Sequence, residues 1–158
     1  MKEQMRIELH NETEYTERIS FQDIWTHASK LKHVGCRVAA ITDRNSVDGI
    51  HMAEYEFMRR GIQPIYGVTL NCIDIDDRYD MVLLAANLTG RDNIFRLIEL
   101  LENNRFSFGR AVTREQLDAH RNGILLGAAA KNGQIVRAIL HRRDQRYLET
   151  ITQDYDYL

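Results

Sequence analysis

The residues best placed for chemistry are His10 and Glu12. They follow Met5–Leu9, a segment that alternates apolar and polar residues and predicts a strand. Two apart on an extended chain, their side chains point to the same side. An imidazole beside a carboxylate is a start towards a metal site, because zinc, iron and manganese clusters gather several neutral imidazoles and carboxylates around a shared centre. The other histidines promise less. His27 and His33 lie six apart on a predicted helix, do not face each other, and read as surface. His51 opens a helix and could line a pocket. His120 and His141 stand near helix ends and read as cap-region or surface residues. Ser46 has no base near it in sequence, so a serine nucleophile is not expected. Cys36 and Cys72 are isolated and read as two reduced thiols, not a disulfide or a zinc site. The chain has no Gly-x-Gly-x-x-Gly, no Walker lysine and no Gly-x-Ser-x-Gly. Lys131-Asn132-Gly133 predicts a turn with room for a phosphate contact.

The elements that must position these residues alternate between strand and helix. Strands are expected at Met5–Leu9, Val38–Ile41, Pro64–Leu70, Met81–Ala85 and Ile124–Gly127, the later ones as short apolar runs typical of buried parallel strands. A first helix carries Phe21, Ile24, Trp25, Ala28, Leu31 and Val34, opens on the Ser20/Asp23 pairing and stops at Gly35. A second runs over Val47–Arg60 to Gly61, with Ile50, Glu54, Phe57 and Met58 in phase. Asp74–Asp80 reads as a polar turn. Thr89 with Asp92 caps a third helix on Ile94, Leu97, Ile98 and Leu101. Thr113–His120, Gln134–His141 and Asp144–Gln153 complete the helices. This rhythm predicts an α/β fold with a mainly parallel sheet, barrel or open, in a single domain. In a barrel the chemistry sits at the C-terminal ends of the strands. That directs attention to His10–Thr13, Thr42–Asn45, Val68–Asn71, Ala85–Asn87 and Ala128–Gly133.

Length and charge exclude some classes. The chain has 158 residues, 44% hydrophobic and 28% charged, enough for one packed core. A net charge of −2 excludes a wholly basic nucleic-acid coat and an acidic disordered tail. The charged start reads against a signal peptide, and no apolar run approaches the roughly 20 residues of a membrane span, so a cytoplasmic location is expected. The charge is uneven: residues 1–90 carry 10 basic and 14 acidic groups, 91–146 carry 11 and 6, and 147–158 carry 0 and 3. The middle block is mostly arginine. It reads first as solvated helix faces and second as a phosphate-facing surface, without the aromatic interleaving of a single-strand platform.

Five segments occur in a telling order: Arg6-Ile-Glu-Leu-His10, Ile41-Thr-Asp43, Gly61-Ile-Gln-Pro-Ile-Tyr-Gly-Val68, Leu83-Leu-Ala-Ala-Asn87 and Gly123-Ile-Leu-Leu-Gly127. Together they resemble the PHP (polymerase and histidinol phosphatase) domain. The likeness is greatest to the one in the bacterial C-family DNA polymerase III alpha subunit, and Leu83–Phe95 with Thr113–Gly123 is most similar to its PolC branch. The resemblance implies a partial, distorted β/α barrel with a multi-metal cluster at its strand ends. It also locates departures. Where the family has His-x-His, this chain has His10-Asn11-Glu12; Thr-Asp-His reads Thr42-Asp43-Arg44; Gly-Val-Glu reads Gly67-Val68-Thr69. Asp80 replaces a histidine and Ala130 a cysteine. The family's remaining Asp-x-His ligands are expected beyond Leu158, so the domain reads as lacking its C-terminal part. The exonuclease inserted in PolC chains is absent between Leu70 and Tyr79. Asp154–Leu158 resembles the start of a further strand, whose open edge points to truncation or to a covering homo-oligomer contact.

Of the former metal positions His10, Glu12, Asp43, Arg44, Thr69, Asp80 and Ala130, only His10, Glu12 and Asp80 together could supply one imidazole and two carboxylates. Arg44 opposes that site, since a permanent cation repels a divalent ion. It is expected instead to replace the metal charge by pairing with Glu12, Asp43 or Asp80. Such a pair at ~4 Å attracts by about 4 kcal/mol at an effective dielectric near 20, before desolvation. No cofactor is therefore expected, with zinc or manganese as the alternative. The resemblance then implies a degenerate, non-catalytic domain of, or derived from, a replicative polymerase, structural or partner-binding in DNA replication. Its partners would be the rest of the polymerase or its proofreading subunit, and the polymerase chemistry would lie outside this chain. The alternatives are a metal-dependent phosphoesterase or 3′–5′ exonuclease, and a module that binds DNA through the 91–146 arginines.

Overall fold

The computed structural model describes residues 6–16, 22–75, 77–106 and 109–158. The chain divides into two compact units, Met1–Val68 and Thr69–Leu158. The architecture is α/β.

The first unit begins with β1 (Arg6–Glu8), followed by α1 (Ile24–His33), β2 (Cys36–Ile41) and α2 (Ile50–Met58), and ends in the first half of β3 (Gln63–Asp74). β2 lies between β1 and β3, parallel to both, with Glu8 opposite Ala39 and Ile41 opposite Tyr66. Ala39 and Ala40 are fully buried, as are Ala28 on α1 and Phe57 on α2. The small alanine side chains let helices approach the sheet closely. Asp23 caps α1 by accepting from the Thr26 amide at 2.8 Å. The expected opening at Ser20 and Phe21 lies outside the described residues. Gly35 and Gly61 stand in the left-handed region just past α1 and α2 and end them, as expected. Trp25, Val34 and Met58 share the helical phase but are exposed, because each helix buries a stripe narrower than its apolar content.

The second unit holds the rest of β3, β4 (Asp77–Ala85), α3 (Leu88–Asn103), β5 (Val112–Thr113), α4 (Arg114–Ala119), β6 (Ile124–Ala128), α5 (Gln134–Leu140) and α6 (Gln145–Thr152). β4 adjoins β3 and pairs with β6 antiparallel, from Met81–Ala128 to Ala85–Ile124, an exception to the parallel rule. β5, absent from the sequence expectation, pairs with Cys72 and Ile73 of β3. The polar turn expected over Asp74–Asp80 is much shorter, since β3 runs to Asp74 and β4 starts at Asp77. Tyr79, Met81 and Leu83 alternate along β4 and are all fully buried, and this period of two outweighs the charges around it. α3 is capped by Asn87, which accepts from the Gly90 amide at 3.0 Å, in place of the expected Thr89. Thr89 is already inside the first turn. Thr113 and Gln116 form a full capping box on α4. Past α6, Tyr157 bridges to Gly127 of β6, so the segment expected to begin a strand lies along β6.

Gly90 shows how tightly the second unit closes. A Cβ there would stand 1.7 Å from the Gly123 carbonyl oxygen. Glycine to alanine within a helix ordinarily stabilises by about 1 kcal/mol. Here Gly90→Ala should reverse that sign and destabilise by about 2 kcal/mol or more in urea unfolding; a neutral or stabilised variant would contradict this packing.

Candidate functional site

Parallel pairing of β1 and β2 sets their C-terminal ends side by side, and the loops beyond them carry the first unit's candidates. The backbones of Asn11 and Thr42 are tied by Thr42 N–H to the Asn11 carbonyl, at 2.8 Å. The Thr42 hydroxyl accepts from the Asn11 amide at 3.0 Å. His10 and Glu12 flank Asn11, with Nε2 and Oε1 3.7 Å apart. Their expected same-side placement is what the loop shows.

Asp43 has a different role from the one expected. Its side chain is 1% exposed. Oδ1 accepts from the Thr13 amide at 2.5 Å and the Thr16 hydroxyl at 2.7 Å, and Oδ2 accepts from the Thr13 hydroxyl at 2.7 Å. Three neutral donors satisfy this buried carboxylate, so its partners are not the guanidinium of Arg44. The Arg44 amide donates to the same Thr16 hydroxyl at 3.2 Å. Tyr15 lies against Gly49, where a Cβ would come within 2.8 Å of its ring and 3.0 Å of Asp43 Oδ2.

His27 was expected at the surface. It is part-buried instead, because spacing from Ile24 and Leu31 puts it on the inward stripe of α1. That spacing was the signal in the sequence. Nε2 lies 2.8 Å from Asn11 Oδ1, and Nδ1 contacts the side-chain amide of Gln22. Asn11 Nδ2 donates to the Ala40 carbonyl at 2.8 Å, which leaves Oδ1 to accept. The ring thus has Nε2 placed to donate to Asn11. Burial, and then Lys30, hold its pKa below the usual histidine value.

In the second unit, Thr69 on β3 and Asp80 on β4 are both buried. The Asp80 amide donates to the Asn132 carbonyl at 3.1 Å, which ties β4 to the Lys131–Gly133 turn. Ala130 is exposed on that turn. His120 is a cap-region residue as expected, its Nδ1 2.8 Å from the Gln116 carbonyl. His33 and His51 are exposed, and both cysteines are buried and free. Much of the arginine block is neutralised at short range. Arg91 pairs with Asp92, Arg110 with Glu102, Arg114 with Asp118 and Asp154, Arg121 with Asp156, and Arg137 with Asp77.

Comparison with known families matches residues 8–157 to the PHP domain. The chain belongs to the PHP domain family. Its curated relatives include the DNA polymerase III PolC-type of Bacillus subtilis, 34% identical over 80 residues, which are 51% of this chain and 6% of that protein. The DNA polymerase III subunit alpha of Helicobacter pylori is 24% identical over 135 residues, 80% of this chain and 11% of that one. The chain thus spans a small fraction of these relatives. An amidohydrolase structure from Chromobacterium violaceum shares the fold, with a TM-score of 0.52, 17% identity, and coverage of 63% of this chain and 34% of the other. No helix among the described residues is long and apolar enough to cross a membrane.

The first-unit residues of this PHP domain do not fit a multi-metal cluster. Asp43 is enclosed by the Thr13 amide and the Thr13 and Thr16 hydroxyls, and among the described residues of the loop His10 and Glu12 stand as adjacent donors. No three His, Cys, Asp or Glu side chains among the described residues gather into a group suited to a metal ion.

Two outcomes follow from this geometry. Asp43→Ala strands the donors of Thr13 and Thr16 and should cost about 3 kcal/mol in chemical unfolding, whereas an unchanged midpoint would mean the loop is not held by that carboxylate. The depressed pKa of His27 means the folded state binds fewer protons than the unfolded one. Its contribution is therefore present above the ordinary histidine value of 6.5 and is lost as pH falls through the lower folded value. The melting temperature should drop between neutral and mildly acidic pH, with a shallower drop in His27→Gln.

Proposed function

We propose that this PHP domain has no working metal centre and serves as a structural and partner-binding module of a bacterial replicative DNA polymerase. The observation that carries the reading is the enclosure of Asp43 by Thr13 and Thr16 beside Arg44. A carboxylate already held by three donors gains little from a metal, and Arg44, next in sequence, is a cation where the family has a histidine. Likeness to the PolC-type and alpha polymerases supports the replicative setting. Because the chain spans only 6% and 11% of those two, polymerase chemistry belongs to regions outside it. Partners of this module are the remaining polymerase or a proofreading subunit, in the cytoplasm.

The His10–Glu12 pair favours a second reading. An imidazole and a carboxylate 3.7 Å apart could contribute to a single zinc or manganese site, with phosphoesterase or exonuclease activity. Metal content by mass spectrometry after purification without chelator separates the two readings. The first expects no stoichiometric metal, and zinc or manganese should move the melting temperature by less than about 1 °C. Stoichiometric metal with a shift of several degrees, abolished in His10→Ala and Glu12→Ala, would replace the first reading with the second.

A further inference from the structure

The second unit carries an open cavity of about 960 Å³ that the reading above does not use. It is lined by the tip of β3, by α5 and by the start of α6. Its size is that of a nucleotide-sized ligand site. One part of its lining is formed by Arg142 and Arg143, with Tyr147 beside them. Unlike Arg91, Arg110, Arg114, Arg121 and Arg137, these two make no ion pair among the described residues. The Arg143 guanidinium lies over the Tyr147 ring, 5.4 Å from its centroid, which holds a planar donor group in place.

The backbone at this point is also unusual. α5 closes with Arg142 N–H on the Ile139 carbonyl and Arg143 N–H on the Ala138 carbonyl, at 3.0 and 2.9 Å. α2 closes in the same way, with Gly61 on Met58 and Ile62 on Phe57. The residue in the left-handed position is Gly61 in one case and Arg142, with φ of 52°, in the other. Glycine is the usual occupant of that position, because a side chain there is disfavoured. The cavity therefore holds an arginine where the local fold favours glycine.

The acidic groups of the cavity are mostly engaged. Asp77 pairs with Arg137 at 2.7 Å, and Asp144 caps α6 by accepting from the Tyr147 amide at 2.8 Å. Asp74 remains as an acceptor for a hydroxyl or amine donor. Two unpaired guanidiniums suit the oxygens of a phosphate, and an aromatic ring with a carboxylate suits a base and sugar. We propose that this cavity binds the phosphate of a nucleotide through Arg142 and Arg143, whether the nucleotide is free or part of a single strand. The proposal does not depend on the state of the Asp43 loop.

Titration of the full chain with inorganic phosphate, thymidine 5′-monophosphate and a short thymidine oligonucleotide tests it. The nucleotide or the oligonucleotide should bind more tightly than phosphate alone, and the tighter of the two identifies the source. Arg142→Gly and Arg143→Gln should each weaken that binding by about tenfold. Arg142→Gly should leave the melting temperature unchanged or higher, which separates lost binding from lost folding. Arg96→Gln, on α3 and likewise without an ion pair among the described residues, should bind as the parent does. The proposal fails if none of the three probes binds, if phosphate binds as tightly as both others, if the two cavity variants bind normally, or if Arg96→Gln weakens binding equally.

Discussion

A carboxylate cannot be left alone in a protein interior, and Asp43 is almost completely buried. Its need for donors fixes the first unit's loops. Thr13 and Thr16 are drawn onto it from the β1–α1 loop, the amide of Arg44 shares the Thr16 hydroxyl, and Tyr15 lies on Gly49 alongside. Asn11, two residues before Thr13, is then tied to Thr42 and Ala40 and presents its side-chain oxygen to His27. A cluster of metal ligands would make opposite demands on the same residues, since it needs open carboxylates and no fixed cation.

The sequence conveyed elements more readily than partnerships. Ala39, Ala40 and Ile41 read as a buried strand because nothing polar interrupts them, and Gly35 and Gly61 read as stops because their positions need a positive φ. Placement of His10 and Glu12 on one side followed from the period of an extended chain. The role of Asp43 was not legible, since its donors lie 27 to 30 residues away and threonines carry no marker of such a task. His27 was partly legible: its spacing from Ile24 and Leu31 put it on the inward face, but attention to its separation from His33 hid that. The β3–β4 extension was missed because Asp74, Asp77 and Asp80 look like a turn until the alternation of Tyr79, Met81 and Leu83 is given more weight. β5 has only two residues, too few for any periodicity.

Charge shows the same limit from another direction. Counting residues gives the 91–146 block a clear positive excess, but counting says nothing of distance. Arg114 touches Asp154 and Arg121 touches Asp156, so two of the three acids beyond the block fold back onto it. Exposed pairs of this kind contribute little stability. Their larger effect is on the field the surface presents, which narrows from a broad basic face to a few places where arginines stand without an acid.

The pairing of β4 with β6 has a consequence for the order in which the protein is made. In the first unit each strand meets its partner soon after leaving the ribosome, since β1, β2 and the start of β3 all fall within the first 66 residues. Met81 must instead await Ala128, and β6 in turn awaits Tyr157. During synthesis the apolar β4 therefore emerges well before the strand that covers its edge. That interval, set by topology and not by composition, is when the nascent chain is most open to wrong strand partners.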